Sequence, residues 1–389
     1  MARKRRTPRP RERTPARAQS RRKRHPARMV LPGLLLLALG VGAYLVYQSH
    51  ARPDAPEPAS PYALRTFSRQ VDSLDALLAM PPERLRDVNI AEMNLLCATG
   101  LRGAENLDID ACLAKVDEWT AKVKAETERH LYRVTDPRYA EHYHHSEKYL
   151  RAEFLLQVLQ EDCGVRYNME RVKSISFGQS KDLFIHGLVA DPNGGTCASM
   201  PVLYVAVGRR LGYPLSLVKT KAHFFVRWKD ETDRFNIEGT NGFSSMPDDY
   251  YKTWPMASTD KEVKANRYLV SLTPADELAE FMAARGHCLV ENRRAKEGYA
   301  AYSVAIRLAP NDPAYRAWRH EAVLALRPAP SGRAVFTPPR VGANTAGPAV
   351  PLVPGPVVPG PIQPVVPSPW SGQPNRPPAA PTGPHPPRP

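Results

Sequence analysis

The sequence has no C-x-x-C pair. Its five cysteines, Cys97, Cys112, Cys163, Cys197 and Cys288, are scattered, which argues against a thiolate zinc site. An odd count leaves at least one thiol unpaired in any intramolecular scheme. If the domain lies outside the cytoplasm, Cys97 and Cys112 are the candidate disulfide pair; buried apolar thiols on packed helices are the alternative. Acidic residues are nearly missing from residues 1–28, which hold thirteen Lys or Arg and a single acid, Glu12. That segment carries +12 of the formal +15, so the rest of the chain sums to only +3. The body therefore lacks the basic excess of a nucleic-acid-binding domain, and no nucleic-acid partner is expected.

Residues 1–28 have no apolar periodicity and read as a disordered basic tail on the cytoplasmic side. Residues 29–47, MVLPGLLLLALGVGAYLVY, run for nineteen positions without a charge. This is long enough for a transmembrane helix, with Tyr44 and Tyr47 suited to the interface. The basic run before it predicts a single-pass membrane protein with a cytoplasmic N-terminus and an extracytoplasmic body. A cleaved signal peptide is the competing reading, with Ser49-His50-Ala51 as its small-residue site, and Arg21-Arg22 permits a twin-arginine signal. Residues 48–67 read as a Pro-rich linker.

Helical periodicity dominates residues 68–165. A first helix starts at Ser68 and stops at Pro81-Pro82. A second holds Ile90, Met93, Leu95 and Leu96 and ends near Gly100. A long third starts at about Asp108, with Asp108 or Asp110 as cap, and a fourth spans about Ser146 to Asp162. The run His142, His144, His145 lies between the last two, where a solvated polar loop is the simplest account and a metal site the alternative.

Residues 166–272 contain the stretch that carries chemistry, Gly194 to Thr240. Gly194 and Gly195 precede Cys197, from which a helix runs to about Leu211; Pro201 fits its first turn. A thiol at a helix start meets the positive end of the macrodipole, which favours the thiolate. LSLVK (215–219) and HFFVRW (223–228) read as strands, and RFNIEGT carries a third across the polar loop KDETD. An antiparallel hairpin would put His223 opposite Glu238, so the carboxylate could orient the imidazole toward the Cys197 thiol. Gln179, Asp182 and His186 lie upstream; Gln179 could donate to an oxyanion, although the Cys197 N–H is the simpler donor. Tyr250, Tyr251 and Trp254 read as core or cleft rim.

Gly195-Thr196-Cys197, the helix ending in LGYP, His223 with its aromatic strand, and Glu238 fifteen residues later resemble the transglutaminase-like superfamily. The branch it resembles has a papain-like Cys-His-Asp core and is often fused to tetratricopeptide repeats. The resemblance implies Cys197 as nucleophile, His223 as general base and acid, and Glu238 as orienting acid, with no cofactor. The family usually has Asp at the third position, so Glu238 is a departure.

In residues 273–327, Gly286, Gly298, Tyr302, Ala305 and Pro310 fit one tetratricopeptide repeat, followed by a helix over about 314–326. Such a short array should dock on the core or offer a surface to a protein partner. Residues 328–389, with 21 of the 41 prolines, read as a disordered polyproline-rich tail. The expected fold is α+β: a helical N-terminal half, a transglutaminase-like core with an antiparallel sheet, and short C-terminal repeat-like helices. The expected function is a membrane-anchored thiol enzyme acting on amide or peptide bonds of a protein or peptide substrate. The alternative is an inactive scaffold that binds a protein partner.

Overall fold

The computed structural model describes residues 62, 64, 65, 67, 69–171, 175–240 and 242–326. The basic tail, the segment 29–47 and the proline-rich tail lie outside these residues. The expectation of a single-pass membrane protein is corrected. Among the described residues no helix is long and apolar enough to cross a membrane. The longest, IDACLAKVDEWTAKVKAETERH, carries charges on nearly every turn.

The chain divides into two units. In the small one, the Arg65 N–H donates to the Arg210 carbonyl at 2.6 Å, and Tyr62 stands edge-on to Tyr213 at 5.4 Å. The other unit, residues 67–209 and 214–389, contains the site.

Helices α1 (Leu74–Ala79), α2 (Ile90–Ala98), α3 (Ile109–His130) and α4 (Glu147–Gln157) make the N-terminal half. Each starts at a side-chain cap: Ser73, Asn89, Asp108 and Ser146 accept from an N–H two or three residues on. The first helix starts later than its apolar pattern predicts. Glu92, fully buried, accepts from the N–H groups of Gln70 and Val71 at 2.9 and 2.7 Å, which holds that approach extended until Ser73 caps α1. Every residue of α2 is buried, so it is a core helix without a polar face.

Then come α5 (His186–Ala190) and α6 (Met200–Arg210), followed by three antiparallel strands, β1 (Leu215–Thr220), β2 (His223–Lys229) and β3 (Arg234–Ile237), in the order β1-β2-β3. β1 and β2 are buried on both faces apart from their ends, which explains their near-continuous apolar text. Residues 269–272 cover the free edge of β1 through Leu269 N–H to Lys219 O and Leu272 N–H to Leu217 O, both 2.9 Å. Two short helices, α7 (Asp248–Thr253) and α8 (Asp260–Ala265), lead to α9 (Pro274–Glu291), α10 (Ala295–Leu308) and α11 (Pro313–Ala325). This mixed helical and sheet architecture is the α+β class expected.

α9 packs on both α2 and α10. Arg285 donates to the Cys97 and Thr99 carbonyls at 2.9 and 2.6 Å. Gly286 lets Tyr302 approach; a Cβ there would sit 2.5 Å from the ring. Two ion pairs tie α9 to the core. Arg209 of α6 grips the fully buried Glu277 at 3.0 and 2.7 Å, and Lys219 of β1 meets Glu280 at 2.6 Å together with Asp312.

Candidate functional site

Cys197 is placed by its two predecessors. Gly195 donates to the Arg166 carbonyl at 3.0 Å and accepts from Asn168 N–H at 2.7 Å, which draws Tyr167 alongside. A Cβ on Gly195 would lie 2.6 Å from Arg166 O and 2.5 Å from the Met200 sulfur, so the close approach requires glycine. Thr196 then caps the helix. Its carbonyl accepts from Met200 N–H at 3.0 Å and its hydroxyl accepts from Ala198 N–H at 3.2 Å. Its own N–H donates to the Ser199 hydroxyl at 3.1 Å. These side-chain bonds replace regular helix geometry through residue 199, so α6 begins at Met200 rather than at Cys197. Cys197 still occupies the first turn, half-buried, with its sulfur 3.9 Å from the Ala222 carbonyl.

His223 opens β2 directly after the two-residue turn Lys221-Ala222, where Ala222 takes φ 64°. Its Nε2 lies 2.8 Å from Glu238 Oε2. That leaves Nδ1 as the nitrogen available to the Cys197 thiol, whose sulfur favours a charged ring. The pairing differs from the expected face-to-face one. The register sets Val226 against Ile237, which continues to Phe225 against Glu238, so His223 and Glu238 are diagonal neighbours on one face. Diagonal positions stand about 7–8 Å apart at the backbone, a span that the extra methylene of glutamate helps to close. The other carboxylate oxygen of Glu238 accepts from Gly239 N–H, Thr240 N–H and the Thr240 hydroxyl at 3.1, 3.0 and 2.6 Å.

The electrostatics follow from this geometry. Burial works against a charged His223, but its hydrogen bonds to Cys197 and Glu238 overcome that and raise its pKa from 6.5 to about 9. Burial likewise opposes a charged Glu238, and the bonds to His223 and Thr240 bring it below the usual carboxylate range.

Aromatic side chains brace the imidazole. Trp254 stands edge-on to His223 at 4.7 Å. Tyr251, fully buried, stacks on Phe225 at 3.8 Å and points its hydroxyl at Glu238 at 3.4 Å. Sequence reasoning missed Tyr167. Its side chain lies against Cys197, and burial and the neighbouring sulfur raise its pKa. The parallel bridge between Tyr167 and Gly195 that places it joins residues too far apart for a sequence pattern to show.

Cys197 and His223 open onto a cleft of about 170 Å3 that is also lined by Phe177, Phe224, Ala284 and Trp318. The upstream candidates serve the frame. Asp182 accepts from the Thr196 hydroxyl through its carbonyl at 2.6 Å. His186 pairs with the Ser180 hydroxyl at 3.1 Å, and burial pushes its pKa down to about 4. Gln179 does not line the cleft; its side-chain oxygen lies beside Gly103. His142 and His145 turn to different carboxylates, Glu153 and Glu141, at 2.9 and 3.2 Å, while His144 rests edge-on to Tyr149. All five cysteines are free, and Cys97 and Cys112 are both buried. Burial pushes Cys97 and Cys288 up to about 12, and Cys112 and Cys163 up to about 11, which leaves them poor nucleophiles at neutral pH.

Residues 110–279 match the family model described as the transglutaminase-like superfamily. Over that stretch, less than half of the 389 residues, the chain is similar to the superfamily. No curated protein matches. No solved structure matches either. The matched span starts in α3, includes Tyr167, Cys197, His223 and Glu238, and ends inside α9. Glu280, His287, Asp312 and Trp318, which also line the cleft, lie beyond it.

Proposed function

We propose that the transglutaminase-like domain is a thiol enzyme that cleaves or exchanges amide bonds of a protein or peptide through a Cys197 thioester. The His223–Glu238 hydrogen bond, with Cys197 and His223 together lining an open cleft, carries this reading. His223 takes the thiol proton, and the raised affinity of its ring for a proton suits it to that role. The sulfur attacks the amide carbonyl carbon; a C–S bond forms and the π electrons move to oxygen. The Cys197 N–H and the hydroxyl of Tyr167 beside it are the donors we assign to that oxyanion. When the carbonyl re-forms, the C–N bond breaks and His223 hands its proton to the departing amine. Water or a second amine then attacks the thioester, gives its proton to His223, and releases the acyl group as the C–S bond breaks. Glu238 holds the ring in position and balances its charge throughout.

The test is site-resolved alkylation with iodoacetamide at pH 7.5. Cys197 should label far ahead of the four other cysteines, and His223→Ala should slow it at least about tenfold, given the 10²–10⁴-fold typical of proton transfer in turnover. Equal rates in the two proteins would remove the ground for a nucleophile–base pair. The tetratricopeptide character of α9–α11 belongs to the same proposal: Gly286 against Tyr302 and Gly298 against Val290 are the close contacts that support it.

A further inference from the structure

We infer that α11 and the part of α9 after residue 279, both outside the family-matched span, form a substrate-selecting wall that seats one uncharged, phenyl-sized side chain beside Cys197. This rests on the reading of Cys197 as the acyl-accepting thiol. The cleft has two sides. Cys197, Ala222, His223 and Phe224 form one; Ala283, Ala284 and His287 of α9 and Ala314 and Trp318 of α11 face them, with Phe177 between. The alanines leave the room, and the rings shape it. Phe177 and His287 meet edge-on at 5.3 Å, and His287 and Trp318 edge-on at 4.6 Å. A cavity of about 150 Å3 lined by apolar side chains admits benzene. The 170 Å3 here therefore holds one aromatic or large aliphatic group.

Charge at the cleft points the same way. His287 enters as a neutral ring, because burial pushes its pKa down to about 4, and its Nδ1 is bonded to the Tyr302 hydroxyl at 2.8 Å. The ionic groups at the far end are already engaged with one another. Lys219 binds Glu280 at 2.6 Å and Asp312; Glu280 also accepts from the Tyr315 hydroxyl at 2.6 Å, and Asp312 from Ala314 N–H at 3.0 Å. Two carboxylates against one ammonium leave one negative charge in surplus, which repels an acidic side chain, while the pairing leaves no bare carboxylate for a cationic one.

The experiment measures Cys197 labelling by four chloroacetamides that share one electrophile and differ in the N-substituent: methyl, phenethyl, aminobutyl and carboxypropyl. In the wild-type chain the phenethyl reagent should label about tenfold faster than the methyl one, the gain expected from burying a phenyl-sized group, and the carboxypropyl reagent slowest. Trp318→Ala and Ala284→Leu should each abolish the phenethyl advantage, read as the ratio of phenethyl to methyl rates within the same variant. Loss of the advantage in either variant is sufficient if the other fails to fold. Equal phenethyl and methyl rates in the wild type, an advantage that survives both substitutions, or fastest labelling by aminobutyl would overturn the wall. A separate arm titrates Cys197→Ser with N-acetylphenylalaninamide and follows the Trp318 indole N–H by NMR. A saturable shift there, with no methyl labelling of the wild type, sinks the thiol reading and keeps the wall; no shift overturns the wall.

Discussion

Replacing Glu238 by glutamine removes one charge and almost no volume, so it isolates what the carboxylate does for His223. Burial alone would lower the imidazole, yet the bonds to Cys197 and Glu238 raise it from 6.5 to about 9. That rise is on the order of 3 kcal/mol in favour of the protonated ring. The carboxylate supplies a charge-assisted hydrogen bond at 2.8 Å, a class worth about 1.5–3 kcal/mol. Without it the His223 midpoint should fall by roughly one to two pH units. The new amide also presents an N–H to Nε2. The ring then keeps its proton on Nδ1, the nitrogen that must receive the thiol proton. Both effects slow the chemistry, by about 10- to 150-fold for the energy range given. The His223 midpoint is read by NMR titration of the ring carbons, and the rate by iodoacetamide labelling of Cys197 at pH 7.5. Glu238→Asp should fall between, because losing one methylene withdraws the oxygen by about 1.5 Å from a diagonal partner. If Glu238→Gln keeps both the midpoint and the rate, the orienting role assigned to Glu238 is wrong.

Three other outcomes are expected. Tyr167→Phe should lower acyl transfer by about 10²-fold with iodoacetamide labelling of Cys197 retained; faster turnover would instead mark the hydroxyl as a plug. Lys219→Met strands Glu280 and Asp312 without their ammonium and should cost about 3–5 kcal/mol in urea unfolding; a loss below about 1 kcal/mol would mean the pair is solvated. His186 and His287 both have pKa values pushed down to about 4 by burial. A histidine depressed on folding contributes stability that is present above its ordinary 6.5 and lost as pH falls toward 4. The wild type should therefore lose on the order of 3 kcal/mol per ring at most over that window, and the double variant His186→Gln/His287→Gln should show a flatter profile; parallel profiles would refute the assignment.

Local chemistry made much of this legible in the sequence. Asp108 and Ser146 cap helices where the text places them, and Pro81-Pro82 ends α1. The alternation in residues 215–237 gives three strands in the expected order. Spacing points to Cys197, His223 and Glu238; His223 hydrogen-bonds Glu238, and Cys197 shares the cleft lining with His223. What failed to show in the text was nonlocal. Glu92 overrides a helical pattern twenty residues upstream by offering two N–H groups a buried acceptor. The diagonal offset of His223 and Glu238 depends on the register, which alternation alone leaves undetermined by two residues. Tyr167 reaches the thiol through a bridge with Gly195. The cleft wall needed α9 and α11 to be placed against β1, a decision made by Lys219, Glu280 and Asp312 together.

The family-matched span ends at residue 279, one position short of Glu280 and two turns before His287. Glu277, the partner of Arg209, falls inside it. A gene fragment trimmed to that boundary would keep the thiol and its helpers but discard half of the enclosure, one of the two ionic clamps and the shield over α2. The portable module, the piece that recombination could transplant with its selectivity intact, is therefore longer than the segment that sequence comparison detects. On the proposed reading, chains that share the matched core yet diverge after it would keep the thiol chemistry and differ in the side chain they admit.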